Sequence, residues 1–260
     1  MDKDKLVELN RYDARAQSQL SASEAASAAG EFGSSAMPQY LRAPHFFYEK
    51  CVSELIHPQD QVLELGAGSG LHTWALVKTG AVVTATDISR NSLKLLQQRI
   101  VNAGACVKTQ LADMESLPFA DATFDVVACA GSLSYGNPSL VGTEIRRVLR
   151  PGGLLVCVDT LNHNPIYRFN RWLHYLRGER TKSTLRRMPD LARIEALSNG
   201  FASVKVRYFG ALTFMMPAVA RLCGSERAQA VSDYCDQVIN VKRSAFKFVL
   251  IANGMIKLGK

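Results

Sequence analysis

The chain has no uninterrupted apolar stretch approaching the roughly 18 residues that a membrane-spanning helix needs, so no α-helical span is expected. Its opening residues, Met1-Asp2-Lys3-Asp4-Lys5, are charged and lead into no apolar leader, which argues against a secretory signal and for a cytoplasmic protein. The six cysteines (Cys51, Cys106, Cys129, Cys157, Cys223 and Cys235) are scattered without one C-x-x-C pair, so neither a disulfide framework nor a metal site is expected. Cys129 and Cys157 fall inside apolar runs, where a reduced thiol behaves as a small apolar side chain. Nor is the charge unusual in amount: 21% of residues are Asp, Glu, Lys or Arg, and the net +8 acquires meaning only from where it lies. At 260 residues the chain can bury one sizeable core, and its length does not demand two domains.

What is present is a glycine turn between an apolar strand and a helix, Val62-Leu63-Glu64-Leu65-Gly66-Ala67-Gly68-Ser69-Gly70. A second apolar run, Ala81 to Thr86, ends on Asp87, 21 residues beyond Gly66. Glycines let the backbone turn tightly and let a ligand approach the main chain, and an acid at the tip of the neighbouring strand suits two ribose hydroxyls. An adenosine-containing ligand is therefore expected. A dinucleotide fingerprint, G-x-G-x-x-G/A, needs a small last residue, and that position is Leu71 here. Glu64 also places a carboxylate where a pyrophosphate would be poorly served, whereas an amino group and a sulfonium fit beside it.

On these residues the chain resembles the class I S-adenosylmethionine-dependent methyltransferases, whose first motif reads E/D-x-G-x-G-x-G. Further blocks are similar to the same family: Asp113-Met114 after the third strand, Leu117-Pro118-Phe119 with Phe124-Asp125-Val126-Val127 before the fourth, and Arg147 to Gly153 before the fifth. The resemblance covers about residues 40 to 160. Each block also has a plainer reading, since Pro-Gly-Gly is a turn and Phe124 suits a core.

Strands at 62–66, 82–86, 106–110, 124–130 and 153–159, with helices at 69–79, 89–103 and 138–149, imply right-handed β-α-β units. The expected fold is α/β, a doubly wound Rossmann-like sheet. The resemblance makes it seven-stranded, with the last strand (245–252) antiparallel beside the fifth, and adds a helical lid insertion after strand five. Residues 203–209 read as a strand, and 190–200, 211–223 and 226–239 as helices. Residues 1–56 are expected to be N-terminal helical segments covering the cofactor, helical at 1–16 and 38–56 with a Ser/Ala/Gly-rich linker or weak helix at 17–37. Residues 57–260 would form the methyltransferase domain, with a basic insertion at 160–200.

The resemblance implies S-adenosyl-L-methionine as cofactor. It assigns Tyr12, Tyr40, Arg42, Glu64, Gly66, Ala67, Gly68, Gly70, Asp87, Ile88, Asp113, Met114 and Ala130 to binding it, with Arg42 a partner for the methionine carboxylate. A proton acceptor is needed only for a hydroxyl or protonated amine, and His163 and Tyr135 are the candidates. His45, Arg168, Arg171 and Trp172 are candidate acceptor contacts. From 165 to 190, seven Arg or Lys face only Glu179 and Asp190, interleaved with Tyr167, Phe169, Trp172 and Tyr175. That concentration points to a small anionic acceptor, such as a nucleotide- or carrier-linked sugar, bound by a monomer or homodimer. A solvated helix face is the plainer alternative. RNA methylation and cofactor binding without catalysis are the competing functions. Against RNA, the chain shows no appended RNA-binding domain, and Ala130 to Gly136 lacks the N-P-P-[YF] motif of amino-directed nucleic-acid methylases.

Overall fold

A computed structural model describes residues 3–23, 32–178, 181–238 and 241–256. The strands are β1 (Gln61–Leu65), β2 (Val82–Asp87), β3 (Lys108–Leu111), β4 (Phe124–Ala130), β5 (Leu149–Thr160), β6 (Phe201–Phe209) and β7 (Lys247–Met255). The helices are α1 (Lys3–Ser23), α2 (Arg42–Leu55), α3 (Thr73–Val77), α4 (Arg90–Asn102), α5 (Pro138–Val148) and α6 (Pro165–Leu176). They continue with α7 (Lys182–Arg187), α8 (Leu191–Ser198), α9 (Met216–Cys223), α10 (Ser225–Val238) and α11 (Val241–Ser244).

The strands form one seven-stranded sheet in the order β3-β2-β1-β4-β5-β7-β6. β1 to β5 pair parallel, and β7 runs antiparallel to both β5 and β6, as the fold reading anticipates. Helices cover both faces, so adjacent residues of one strand enter different cores. Leu63, Val127, Cys129, Leu155 and Cys157 share one core with α5. Val62, Val126, Ala128, Val156 and Val158 share the other with Tyr48 and Val52 of α2. All six cysteines are free.

The strand order reverses at β1 and β4, which opens a crevice at their carboxyl ends. Helix starts there are set by short polar caps. Ser89 accepts from Ser92 N–H to begin α4, and Asn137 accepts from Ser139 N–H to begin α5, with Pro138 in its first turn. The Asn164-Pro165 pair is the same device, Asn164 capping Ile166 N–H to begin α6. Thr181 caps α7 through Thr184 N–H, so part of the 160–190 motif is helix punctuation.

Two elements differ from the sequence expectation, α1 and the helix after β1. α1 continues to Ser23, because Ala16 and Leu20 pack on Leu95 of α4; residues 24–31 of the expected linker lie outside the described residues. The inward face of α1 carries Lys5, Glu8, Ala16 and Leu20, whereas Leu6 is exposed. The helix expected at 69–79 shortens to α3, because the chain turns through Ser69 to His72 before helical pairing begins.

Gly70 shows how tightly the turn is set. It sits at φ +80°, and a Cβ there would lie 2.8 Å from Leu96 Cγ. Gly70→Ala should therefore destabilise the protein by about 1–3 kcal/mol through backbone strain and overpacking on α4, read as a lowered denaturation midpoint.

Candidate active site

The glycine turn after β1 leaves the sheet at the crevice. Gly66 has φ +62°, and a Cβ on it would fall 2.4 Å from Ser132 Cβ, so glycine lets the β1 and β4 ends approach. Gly68, at φ +54°, has no heavy atom within 4 Å of where a Cβ would stand, so its exposed backbone borders open space. Asp87, at the end of β2, accepts Gly68 N–H on Oδ2 (2.9 Å) and Ser89 N–H on Oδ1 (2.8 Å). Burial raises its pKa, and the two backbone bonds pull it back in part. The carboxylate thus joins the turn after β1 to the turn after β2 and also faces the cavity.

That cavity encloses about 400 Å³, within the size range of small-molecule sites. One end is formed by Asp87, Ile88, Ala112, Asp113 and Met114 beneath Lys5, Glu8, Tyr12 and Arg15 of α1. The other is formed by His45, His72, Ala130, Ser132, Tyr135 and Lys247. α1 is held by polar bonds. Lys5 Nζ pairs with Asp113 (2.5 Å) and Glu115 (3.2 Å), and the Tyr12 and Tyr135 hydroxyls are in direct contact. Asp13 accepts from Ser89 Oγ and from the backbone and side chain of Asn91.

At the second end, the His45 and His72 rings stack with centroids 4.8 Å apart and planes 9° from parallel. Both ring nitrogens of His45 and Nδ1 of His72 are buried without a hydrogen-bond partner. Burial, then the charge of Lys247, pulls the His72 pKa down to about 4; for His45 the same causes, with His72 itself, lower it far further. Both imidazoles are therefore neutral near pH 7. Lys247 opens β7 beside Thr160 of β5, and burial lowers its pKa against the opposing pull of Asp159.

The cavity brings together eleven of the residues singled out from the sequence: Tyr12, His45, Gly66, Ala67, Gly68, Asp87, Ile88, Asp113, Met114, Ala130 and Tyr135. Eight others stand outside its lining. Glu64 lies beneath the turn, fully buried, accepting from Thr73 Oγ1 at 2.7 Å. Gly70 packs on Leu96. Arg42 donates to the Met37 and Ser35 carbonyls, which steadies the segment that brings Met37 to the cavity, and Tyr40 borders a separate small crevice. Arg171 is buried, donating to Leu161 O and Asn162 Oδ1, whereas Arg168 and Trp172 are exposed on α6. His163 is half-buried in the loop before α6.

Sequence reasoning missed Lys5, Glu8, Arg15, His72 and Lys247. Two signals were available. Lys5, Glu8, Tyr12, Arg15 and Gln19 recur every three or four residues, a polar stripe at helical spacing. Lys247 interrupts an otherwise apolar run, Ala245 to Ala252.

Comparison with known proteins agrees with this geometry. Residues 63–157 match the family model described as a methyltransferase domain. The ubiquinone/menaquinone biosynthesis C-methyltransferase UbiE of Desulfotalea psychrophila is 41% identical over 115 residues, covering 42% of this chain and 46% of that protein. The YcgJ protein of Bacillus subtilis superposes with a TM-score of 0.55 at 18% identity, over 83% of this chain and all of that one. The Haemonchus contortus phosphoethanolamine N-methyltransferase 2, solved with phosphomonomethylethanolamine and S-adenosylhomocysteine, gives 0.55 at 15% identity over 81% of this chain and 52% of that one. The chain spans less than half the length of the curated relatives it matches.

Glu64 yields a test of the turn's electrostatics. Burial pushes its carboxyl up to about 7, Thr73 pulls it partly back, and the charge of Asp87 adds to the rise. A folded-state pKa above the unfolded one contributes stability that is complete below the unfolded pKa and is lost as pH rises through about 7. Glu64→Gln, which can still accept from Thr73, should raise stability by about 2–3 kcal/mol near pH 8 and change it little near pH 4, measured by denaturant titration at both.

Proposed function

We infer the function from one premise: residues 63–157 match the model of a methyltransferase domain, and the seven-stranded sheet around them superposes on structures of methyltransferases. The protein is proposed to transfer a methyl group from S-adenosylmethionine to a hydroxyl, or an amine, of a small anionic acceptor. One observation carries this reading. A single cavity joins a ribose-type carboxylate on a glycine turn to a second end where two stacked neutral imidazoles, that of His45 without a hydrogen-bond partner, face the half-buried Lys247.

The chain's residues fit the cofactor at the first end. Asp87 offers carboxylate oxygens to two ribose hydroxyls, and the open side of Gly68 admits the ligand against the backbone. Asp113 offers an acceptor for an amino group, and Met114 an apolar surface for a ring. In this reading residues 1–56 cover the cofactor through α1, and residues 57–260 form the transferase domain. When bound, the cofactor supplies a sulfonium-activated methyl group, so alignment is the main task of the protein.

At the second end, neutral imidazoles can accept a hydrogen bond from an acceptor hydroxyl and hold its oxygen in line. The acceptor oxygen would gain the methyl as the methyl's bond to sulfur breaks, leaving a neutral thioether, and would pass its proton to the imidazole nitrogen that holds it. Burial and the Lys247 charge disfavour a proton on His45 or His72. An acceptor carrying negative charge beside Lys247 offsets that penalty, so the same geometry favours anionic acceptors over neutral ones. α1, closing the roof through the Tyr12–Tyr135 contact, limits access of water to this end.

Three measurements test the two halves of this reading separately. Asp87→Ala should weaken S-adenosylmethionine binding at least about tenfold by calorimetry, because the ribose loses a charged acceptor. Wild-type affinity in that variant would undo the cofactor assignment. Incubation with isotopically labelled S-adenosylmethionine and a fractionated metabolite extract should label an acidic product detectable by mass. His45→Phe, which keeps a ring against His72 but removes the acceptor nitrogen, should retain cofactor affinity while slowing that transfer by about 10²-fold. Unchanged transfer would remove His45 from the acceptor site.

A further inference from the structure

Among the described residues, nothing covers one face of α6. Ile166, Phe169, Trp172 and Leu176 are 48%, 60%, 48% and 59% exposed. At helical spacing these four fall within one sector of about 120°. The Phe169 and Trp172 rings lie 5.7 Å apart, so they present a joined aromatic surface. The opposite face is fixed to the protein: Tyr167 donates to Gly210 O and packs on Phe246, and Arg171 is buried against the chain before α6. The stripe is therefore not an element awaiting a core. Single exposed apolar residues are ordinary, but a contiguous set of this size marks a docking surface.

The charge around the stripe says what it docks on. Arg168 and Arg177 are exposed and flank it on either side, and residues 161–178 contain no Asp or Glu. Lys182 and Arg186 of the adjoining α7 are exposed as well. A second copy packed on this face would bring like arginines together with no acid on the helix to receive them. A nucleic acid would satisfy the arginines and stack on the two rings, but would leave Ile166 and Leu176 in water. A phospholipid surface takes both sets at once, apolar side chains at the acyl boundary and cations at the phosphates.

We propose that α6 is an interfacial helix that docks the protein on an anionic phospholipid membrane, with Ile166, Phe169, Trp172 and Leu176 in the acyl boundary and Arg168 and Arg177 at the headgroup phosphates. α6 follows the carboxyl end of β5, the end of the sheet at which the cavity lies. That the acceptor is then a lipid-borne anion rests on the methyl-transfer reading. The docking does not.

The test is co-sedimentation of the full chain with vesicles of phosphatidylglycerol and phosphatidylcholine in equal parts, against vesicles of phosphatidylcholine alone. The wild type should pellet with the anionic vesicles, at least about tenfold more than with the neutral ones, and added salt should weaken the partition. Trp172 emission should shift to shorter wavelength on binding. The double variant F169S/W172S, whose changes lie on an exposed face, should retain its fold and cofactor affinity and lose pelleting. A second variant, R168Q/R177Q, should lose the preference for anionic lipid. Failure of the wild type to pellet, or equal pelleting of F169S/W172S, overturns the proposal. So does a dimer, or retention on RNA, that F169S/W172S abolishes while vesicle binding stays absent. None of these outcomes depends on whether methyl transfer occurs.

Discussion

The structure depends most on the need of one half-buried carboxylate for donors. Asp87 gains them from Gly68 N–H and Ser89 N–H, two backbone groups belonging to different turns. That requirement holds the β1 and β2 exits in a fixed relation. Ser89, positioned by it, caps α4 and donates its hydroxyl to Asp13, which brings α1 over the crevice. From α1, Lys5 reaches Asp113 and Glu115, and Glu8 accepts from Thr184 of α7. A chain of polar contacts thus runs from the sheet to the segment after β5, and every link lies on or beside the cavity wall. Buried polar groups of this kind are costly when unpaired, which makes the arrangement specific.

The two ends of the cavity differ in chemistry for reasons that lie outside it. At the Asp87 end, backbone N–H groups and a lysine counter the carboxylates. At the His45 end, the imidazoles are buried side chains, His72 against the Tyr48 ring, with the first residue of β7 in the same lining. Neutral rings there are the product of burial and of Lys247 together. The cavity therefore presents oxygen acceptors to one part of a ligand and ring nitrogens with a cation to the other. Such an asymmetric lining fixes which way round a ligand enters.

The alternation of strands and helices and the glycine turn were legible in the sequence because both are local. Apolar runs of strand length alternate with helical stretches, and positive φ at Gly66, Gly68 and Gly70 leaves few other residues possible. Asp87 was legible for the same reason, standing at a strand end. What was hidden is set by tertiary packing. α1 turns Lys5 and Glu8 inward because their partners lie 108 and 176 residues away, while Leu6 faces solvent. The arginines of the insertion looked alike in sequence, yet Arg171 ties the loop before α6 and Arg168 stands in solvent. Lys247 could be seen as an oddity in a strand, but its place beside the histidines follows only from the antiparallel insertion of β7 next to β5.

The position of Glu8 and Asp13 on one helix has a mechanical consequence. Asp13 grips the start of α4 and Glu8 grips α7, with little more than one turn of α1 between them. A rigid helix cannot let go at one grip without straining the other. Any displacement of α1 from α4 would therefore also pull on α7. α1 is less a cover than a lever with two loads.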